Sequence, residues 1–536
     1  MDVDVVICGY GPSGAVAANL LGQRGVRTLV IDKSEDIYDI PRAVHFDGEV
    51  MRIFQALGMS DEIRQVSGTA ERLGFVNGRG WTLLSIDVTK EPRRHGWPIG
   101  NFFNQPLLER HLRAGVARFP SVEVRLGWEL RDLAQDDDGV TLRVAPSAAG
   151  GGAEETVRAR YVLGADGASS RVRECGAFRL EDLQCDEPWL VCDLILEEGT
   201  PIERTAVQIC DPVRPTTLVP CEGTHIRWEF MLRPGDDPAH LEDEATARAM
   251  MAPHMDRIQP GLSSEQGKLV RTKVYTFHGL VADTFRDRRL LLLGDAAHQT
   301  PPFLGQGLCA GVRDAHNLCW KLEGVLAGRF DASVLDTYTS ERRPHARRIV
   351  KEAIRAGGII QTTNRLRAFL RDAVFLLGRV FPPLRQRDMQ WAPAWATGPG
   401  LFDAAEKPTP ESAHGHVIDQ PELLRSSGER VPLDDEIGER FALIGVGVDP
   451  ATLLDAEATR VADVLGMVRL HVAPDGPLRD VDGGLADWAA RHGDARVVLV
   501  RPDRQVYGVW SGDDAALGAR VAAALRALDD RLLGKA

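Results

Sequence analysis

The chain has 536 residues, of which 44% are hydrophobic and 26% are charged, fractions typical of a soluble globular protein rather than of a disordered, collagen-like or coiled-coil chain. At about 100–200 residues per domain, this length predicts three or four domains. The net charge of −13, from 64 basic and 77 acidic residues, argues against a nucleic-acid-binding protein.

Neither a membrane span nor a metal site is predicted. No apolar run approaches the about 18 residues that a membrane-spanning helix needs. The N-terminus lacks the basic segment of a signal peptide, so we expect a cytoplasmic protein without stable membrane association. No Cys-x-x-Cys pair or Cys/His set has the spacing of zinc ligands, so we expect no metal.

The first elements predict a βαβ unit with a dinucleotide site. A strand over Val3–Cys8 runs into Gly9, Gly11 and Gly14, which match the pattern GxGxxG, and a helix over residues 13–24 follows. Such glycines allow a tight turn, the approach of a pyrophosphate and close helix packing. Asp32 ends the next strand, where a carboxylate accepts hydrogen bonds from a ribose, and Lys33 follows it.

The later elements alternate between the α/β pattern of this first unit and an antiparallel β pattern. A helix over residues 104–118 and strands over residues 122–126, 139–144 and 156–163 continue the α/β pattern. Short β-rich pieces over residues 180–278 predict a separate, mostly antiparallel sheet. A buried strand over residues 289–293 and helices over residues 311–326 and 334–381 then precede a proline-rich linker and a small α/β tail.

Two further motifs follow apolar strands. The segment YVLGADGASSRVR contains Asp166 and Gly167, and the segment LLLLGDAAHQTPPFLGQG contains Gly294 and Asp295. Glycines in the second segment allow backbone amides to come close to a flat ligand, and its prolines stiffen the loop. A Pro-Arg pair ending in Arg42 follows Asp32 closely, and an Asn-Gln-Pro triplet precedes the helix over residues 104–118.

In these motifs and their order, residues 1–350 resemble the class A flavoprotein monooxygenases, or FAD-dependent aromatic hydroxylases. Within that family the chain is most similar to 3-(3-hydroxyphenyl)propionate hydroxylase-like proteins, through stretches such as PRAVHFDGEVMRIFQALG, RWEF and TPPFLGQG. The resemblance implies hydroxylation of a small phenolic substrate by O2, with FAD as cofactor, NADH or NADPH as co-substrate and a flavin C4a-hydroperoxide as intermediate.

The resemblance also implies roles for particular residues. It assigns Asp166 and Gly167 to both FAD and the nicotinamide cofactor, and Asp295 of the Gly294-Asp295 pair to the flavin ribose. The FAD contacts that it implies beyond these are Lys33, Arg42, Gln105, Pro302, Gly305, Gly307 and Leu308, of which the last four line the isoalloxazine ring.

The group that deprotonates the phenol is least determined. Histidine has a pKa suited to this step near neutral pH, and His45 lies three residues after Arg42, so we take His45 as the candidate base, with Pro302 beside the reacting ring. The candidates for contact with the substrate ring are His45, Trp97, Trp189, Trp228 and Phe230. A structural role stays open as the competing interpretation for His45, and membership of the sheet core stays open for each aromatic residue.

The predicted fold is α/β, with a Rossmann-like FAD-binding fold interleaved with a mostly antiparallel β-sheet substrate domain. The predicted ranges are residues 1–75, 100–180 and 280–350 for the FAD-binding domain, residues 76–99 and 181–279 for the substrate domain, and residues 351–410 for helices and linker. Residues 411–536 resemble the thioredoxin-like C-terminal domain of such enzymes, but they contain no cysteine, which excludes dithiol chemistry. We expect a structural role for this domain, or a role in a homodimer.

Two alternatives stay open. The same cofactor chemistry can act on a polyketide or another natural product, by hydroxylation, epoxidation or Baeyer–Villiger oxidation, because a fold does not determine a reaction. The second alternative is a nucleotide-binding interaction protein without enzymatic activity, and the intact Asp-Gly and Gly-Asp motifs argue against it.

Overall fold

A computed structural model describes residues 2–39, 41–147, 153–380, 397–403, 413–512 and 514–535. Most of the proline-rich linker, residues 381–396 and 404–412, lies outside these ranges. Within them, no helix is both long enough and apolar enough to cross a membrane.

The first 147 residues contain ten strands and four helices. These are β1 Val3–Cys8, α1 Pro12–Gln23, β2 Thr28–Asp32, β3 His45–Asp47, α2 Gly48–Ala56, α3 Ser60–Gln65, β4 Ser67–Thr69, β5 Arg72–Asn77, β6 Thr82–Asp87, β7 Gly100–Phe103, α4 Gln105–Val116, β8 Val122–Leu126, β9 Trp128–Gln135 and β10 Val140–Pro146.

The middle of the chain, up to residue 380, contains nine strands and six helices. These are β11 Glu155–Gly164, α5 Arg171–Cys175, β12 Leu180–Ile195, β13 Thr205–Cys210, β14 Thr216–Pro220, β15 His225–Met231, α6 Pro238–Leu241, α7 Glu244–Ile258, β16 Lys268–Ala282, β17 Arg286–Asp287, β18 Leu290–Leu292, β19 His298–Gln299, α8 Gly307–Leu326, α9 Asp336–Ile360 and α10 Arg365–Val380.

The described C-terminal residues form a further α/β unit. Its elements are β20 Glu422–Arg425, β21 Arg430–Pro432, α11 Leu433–Ile437, β22 Ala442–Val446, α12 Ala456–Val464, β23 Val468–Val472, β24 Leu478–Asp480, α13 Gly484–Arg491, β25 Val497–Val500, β26 Val506–Trp510 and α14 Asp514–Leu532.

The first sheet is the predicted Rossmann-like sheet. Its parallel strands lie in the order β8-β2-β1-β11-β18, and β9 and β10 continue it antiparallel beyond β11. Val5, Val6 and Ile7 of β1 are wholly buried, as expected for a central parallel strand covered on both faces. The carboxyl ends of β1, β2 and β11 meet at one edge, which is where ligands bind in such sheets.

The second sheet has the order β19-β16-β12-β15-β14-β13-β5-β6 and is antiparallel except for the β5–β13 pair. Side chains alternate across it, so it has two faces. The helix face carries Trp228 and Phe230, which pack in one cluster with Met251 of α7. The opposite face, which we call the loop face, carries Trp189, which packs in another cluster with Phe303.

One boundary differs from the prediction, and one small sheet was not predicted. Strand β5 begins at Arg72, inside the range predicted for the FAD-binding domain, but it pairs with β13 of the second sheet. Strand β7 pairs with β3 and β4 in a small third sheet that carries His45. Both pairings join segments far apart in sequence, and local periodicity contains no information about them.

The C-terminal unit has a seven-stranded sheet with the order β21-β20-β24-β23-β22-β25-β26. It is attached to the rest of the chain by buried ion pairs. The Arg501 guanidinium binds both carboxylate oxygens of Glu341 of α9, at 2.8 and 2.9 Å, and Lys321 of α8 donates to the same carboxylate. Arg52 of α2 binds Asp434 at 2.6 and 2.8 Å. These contacts support the predicted structural role, and the likeness to thioredoxin stays a prediction.

Candidate active site

The glycine turn after β1 forms a cradle at the N-terminus of α1. Gly9 has a φ of +99°, and a Cβ there would lie 2.3 Å from the Ala165 carbonyl oxygen, so only glycine fits. A Cβ on Gly14 would lie 2.1 Å from the Gly9 carbonyl oxygen. A Cβ on Gly11 would meet nothing within 4 Å, because this residue faces an open cleft. The free N–H groups of the α1 N-terminus therefore face space that an anion can enter.

Asp32 connects the end of β2 to this turn. Its carboxylate accepts hydrogen bonds from the Tyr10 backbone N–H at 2.6 Å and from the Ser34 backbone N–H at 2.8 Å. Asp32 and the exposed Lys33 both line the cleft. Asp32 thus holds two loops together while it borders the ligand space.

Gln105 and Arg42 lie together on another wall of the cleft. The Gln105 side-chain oxygen accepts hydrogen bonds from the backbone N–H groups of Arg42, at 3.0 Å, and Ala43, at 2.6 Å. The Arg42 guanidinium lies over the Tyr38 ring, 5.7 Å from its centroid. Gln105 therefore orders the loop, and the exposed Arg42 side chain borders the cleft.

Asp166 and Gly167 line the same cleft after β11. The half-buried Asp166 carboxylate accepts hydrogen bonds from Ser170 Oγ at 2.5 Å and from the backbone N–H groups of Arg171, at 2.7 Å, and Val172, at 3.1 Å. Burial raises the pKa of Asp166, although these hydrogen bonds lower it. The carboxylate therefore organises the start of α5, and Gly167, with a φ of +79°, permits the turn before it.

Asp295 lies on the floor of the cleft, and among the described residues it has no hydrogen-bond or ion-pair partner. Its carboxylate faces the open space, but protein surrounds it on the other sides, and this desolvation raises its pKa. Gly294 has a φ of +60°, and a Cβ there would lie 2.7 Å from Ser13 Oγ. The Gly-Asp pair thus packs tightly on α1 while its acid faces the ligand space.

His298, in the same segment, has a structural environment. Its Nε2 lies 2.7 Å from Asp314, and Arg342 donates to the other oxygen of that carboxylate at 2.8 Å. All three side chains are buried, so this ion cluster fixes α8 and α9 beneath the cleft.

The loop before α8 brings the predicted flavin contacts close to His45. Gly307 and Leu308 open the 20-residue helix α8 and line the cleft, whereas Pro302 and Gly305 lie outside its described lining. The Gly305 carbonyl oxygen lies 3.3 Å from His45 Nδ1. Because a carbonyl only accepts, Nδ1 carries the proton and the lone pair of the neutral ring is on Nε2. Burial lowers the pKa of His45, which keeps the ring neutral at neutral pH.

The cleft encloses about 770 Å³ and brings together most of the residues predicted to bind the cofactor. Trp128 and Arg131 of β9 also line the cleft, although no sequence motif predicted them. The order of the strands does contain a signal for these two residues. Because β8 runs parallel to β2, its carboxyl end had to lie beside Asp32, and β9 starts there.

The structure separates the four aromatic candidates. Trp228 and Phe230 are buried on the helix face, stacked 6.0 Å apart, and this corrects their assignment to the substrate. Trp97 donates to Gln55 of α2 at 2.7 Å and is also outside the described lining of the cleft. Trp189 is on the loop face, with its ring centroid 5.6 Å from that of Phe303. Trp189 is likewise outside the described lining of the cleft, so contact of Trp97 or Trp189 with a substrate stays a prediction.

A buried ion cluster connects the loop face to the Arg42 loop. Asp193 of β12 accepts from His225 Nε2 at 2.7 Å and from Arg227 Nε at 3.0 Å, and it also pairs with Arg271. Arg227 in turn donates to the Arg42 carbonyl oxygen at 2.7 Å and to the preceding proline carbonyl. The second sheet thereby holds the loop that borders the cofactor cleft.

Comparison with known proteins identifies the family to which the chain belongs. Residues 2–353 match the family model described as FAD binding domain, and residues 415–527 match the HcaD C-terminal domain. The chain belongs to the FAD-binding monooxygenase family. It is 36% identical to a 3-(3-hydroxy-phenyl)propionate/3-hydroxycinnamic acid hydroxylase of Burkholderia cenocepacia, over 98% of this chain and 97% of that protein. A hydroxylase of the same name from Escherichia coli K12 is 33% identical, over 94% of this chain and 91% of the relative.

Solved structures share the fold over the whole chain. The flavin-dependent monooxygenase PieE, in complex with FAD and substrate, aligns with a TM-score of 0.82 at 24% identity and covers 100% of both chains. Aklavinone-11 hydroxylase, in a ternary complex with FAD and aklavinone, aligns with a TM-score of 0.78 at 23% identity over 99% of each chain.

The cleft fits the FAD of this family. Its volume is within the usual range of cofactor pockets, about 300–1,000 Å³. The open space at Gly11 and the helix N-terminus suit the diphosphate, and the unpaired Asp295 carboxylate suits a hydroxyl donor. The protein is a flavoprotein aromatic hydroxylase that uses FAD, and use of NAD(P)H and O2 is the chemistry of its class.

Proposed function

We propose that this hydroxylase acts on a small phenolic ring that carries an acidic side chain. The observation that supports this most is the similarity to relatives named 3-(3-hydroxy-phenyl)propionate/3-hydroxycinnamic acid hydroxylase, which extends over both family regions of the chain. FAD supplies the oxygen-transfer chemistry when it is bound, and the protein's task is to bind, orient and deprotonate the ring and to exclude water.

The residue roles are part of the proposal. The glycine turn and the α1 N-terminus bind the FAD diphosphate, and Asp295 accepts a hydrogen bond from the flavin ribitol or ribose hydroxyls. Asp32 and Lys33 border the opposite end of the cofactor. Arg42 borders the cleft where both FAD and the nicotinamide cofactor have to pass, and its loop is held by Gln105 and Arg227.

His45 is the proposed base for the phenol. The ring is held by the Gly305 carbonyl in the tautomer that has its lone pair on Nε2, and burial keeps it neutral. We expect His45→Gln to lower hydroxylation and to remove the acid limb of its pH profile. An unaltered pH profile would assign deprotonation to another group.

Asp295→Ala tests the cofactor assignment. The variant loses a carboxylate that has no described protein partner, so we expect a lower FAD content in the purified protein without loss of folding. The control is Asp137→Ala, which removes an equal charge from a fully exposed position. Equal flavin occupancy in the two variants would contradict the role of Asp295.

The natural-product alternative has weaker support. The solved structures of PieE and aklavinone-11 hydroxylase are below 25% identity to this chain, so they show the fold alone. A substrate screen that compares hydroxyphenyl acids with polycyclic phenols separates the two proposed classes of substrate. It measures NADH and NADPH oxidation, oxygen uptake and uncoupled peroxide, since oxidation alone does not prove oxygen insertion.

A further inference from the structure

The loop face of the second sheet carries a carboxylate that the proposed function does not use. Glu229 lies in the middle of β15, two residues from Arg227 and two residues from Met231, so all three side chains point to the same face. Arg227 binds the Arg42 loop, and Met231 packs in the cluster that contains Phe303. Glu229 therefore lies between the two loops that border the flavin region.

This carboxylate is buried and unpaired. Glu229 has an exposed fraction of 8%, and no hydrogen bond or ion pair reaches its carboxylate from the residues that the structure describes. The neighbouring Arg227 is already committed to Asp193 and to two backbone carbonyls. Burial raises the pKa of Glu229, with Arg227 acting in the opposite direction. A mostly buried carboxylate without a protein partner is stabilised by a hydrogen-bond donor that a ligand or a water molecule supplies.

The neighbours of Glu229 across the sheet complete a short polar row. Thr217 is paired with Glu229 on β14, and Gln208 is paired with Thr217 on β13. Thr217 Oγ donates to the Gln208 side-chain oxygen at 2.7 Å, which directs the Gln208 amide nitrogen away from it. Within the described residues this nitrogen has no hydrogen-bond acceptor. The row thus presents an acceptor at one end and a donor at the other.

An apolar wall surrounds the row. The cluster on the loop face contains Phe75, which is paired with Gln208, as well as Trp189, Phe102 and Phe303. These aromatic side chains are themselves buried, and a mostly apolar environment with a few convergent polar groups is typical of a small-molecule site. His45 lies at its border, since its ring centroid is 6.2 Å from that of Phe102.

We propose that Glu229 is the substrate-recognition residue of this hydroxylase, and that its carboxylate accepts a hydrogen bond from a hydroxyl group on the aromatic ring, with the Gln208 amide as a second polar contact. A hydrogen-bond acceptor at this position selects a hydroxylated ring over its methoxy counterpart. This inference rests on the proposed function and specifies which end of the substrate faces the sheet.

The test measures binding rather than turnover. Isothermal titration of the FAD-loaded protein with 3-(3-hydroxyphenyl)propionate and with its 3-methoxy counterpart gives a preference ratio for the hydroxyl group. Sites that hydrogen-bond a ligand hydroxyl through a charged group discriminate strongly against analogues that lack it. We expect the wild type to prefer the hydroxyl compound about 10- to 100-fold, Glu229→Gln to reduce this ratio, and Glu229→Leu to abolish it.

The controls separate a local effect from a general one. Asp186→Asn removes a carboxylate charge from an exposed position on β12 of the same sheet and should leave the ratio unchanged. FAD content and melting temperature report folding of each variant. A Glu229→Leu protein that binds FAD and keeps the wild-type ratio would overturn the role of Glu229, and so would a wild type without any preference. Absence of hydroxylation by the wild type would instead contradict the proposed function.

Discussion

The two faces of the second sheet differ in how they are stabilised, although the same strands form both. On the helix face, apolar side chains such as Trp228 and Phe230 pack against α7. On the loop face, an ion cluster around Asp193 and an unpaired Glu229 are set into an apolar wall. The helix face is a mostly apolar core, with the His254 ring stacked on Trp228, and the loop face retains buried charged groups. Such a difference within one sheet indicates where the sheet is used for binding.

The largest expected effect comes from the ion cluster of the loop face. Asp193→Ala removes the common partner of His225, Arg227 and Arg271 and leaves buried cations without a counter-ion. We expect a loss of about 3–5 kcal/mol in the free energy of unfolding. Because Arg227 then loses its orientation, FAD content should fall as well. Urea unfolding and flavin absorbance measure the two effects, and unchanged values in both would contradict the role of the cluster.

A smaller effect is expected on the helix face. Trp228→Phe keeps an aromatic ring in the stack with Phe230 but leaves a cavity beside α7. We expect a loss of about 2 kcal/mol in the free energy of unfolding, without any change in FAD content or in the preference for a hydroxylated ring. A changed ligand preference in this variant would remove the distinction between the two faces.

The smallest effect is a dependence of stability on pH. Burial alone would lower the pKa of His225, but Cys221 and the Asp193 carboxylate outweigh it and raise the pKa to about 9. A raised pKa in the folded state means that this contribution is fully present below the unfolded value of about 6.5 and is lost as pH rises through 9.

We therefore expect stability to decrease between pH 7 and pH 10, because the deprotonated His225 ring is no longer a cation paired with the Asp193 carboxylate. Melting temperatures of the wild type and of His225→Asn across this range measure the difference. A variant that shows the same decrease as the wild type would assign the dependence to other groups.

The cofactor cleft was largely predictable from the sequence because its determinants are local. A strand, a glycine turn and a helix fix the positions of Gly9, Gly11 and Gly14 within a few residues, and Asp32 and Asp295 follow directly from strands. The substrate side was not predictable in the same way. Asp193 and Arg271 are 78 positions apart, and only the pairing of β12 with β16 brings them together.

The assignment of Trp228 and Phe230 to the substrate failed for a physical reason. Large aromatic residues suit both cores and ligand sites, and the strand alone does not determine which face a helix covers. A signal was nevertheless present in the alternation of β15. His225, Arg227 and Glu229 alternate with Ile226, Trp228 and Phe230, so the polar set, rather than the aromatic set, marked the face to which we assign the substrate.

We propose that the cleft and the loop face together hydroxylate a phenolic ring. The most direct test is the mass of the product formed from 3-(3-hydroxyphenyl)propionate by the FAD-loaded protein with NADH or NADPH under isotopically labelled O2. We expect a ring-hydroxylated product that contains one labelled oxygen atom. Consumption of the nicotinamide cofactor with peroxide as the only oxygen product, across this and related hydroxyphenyl acids, would contradict it.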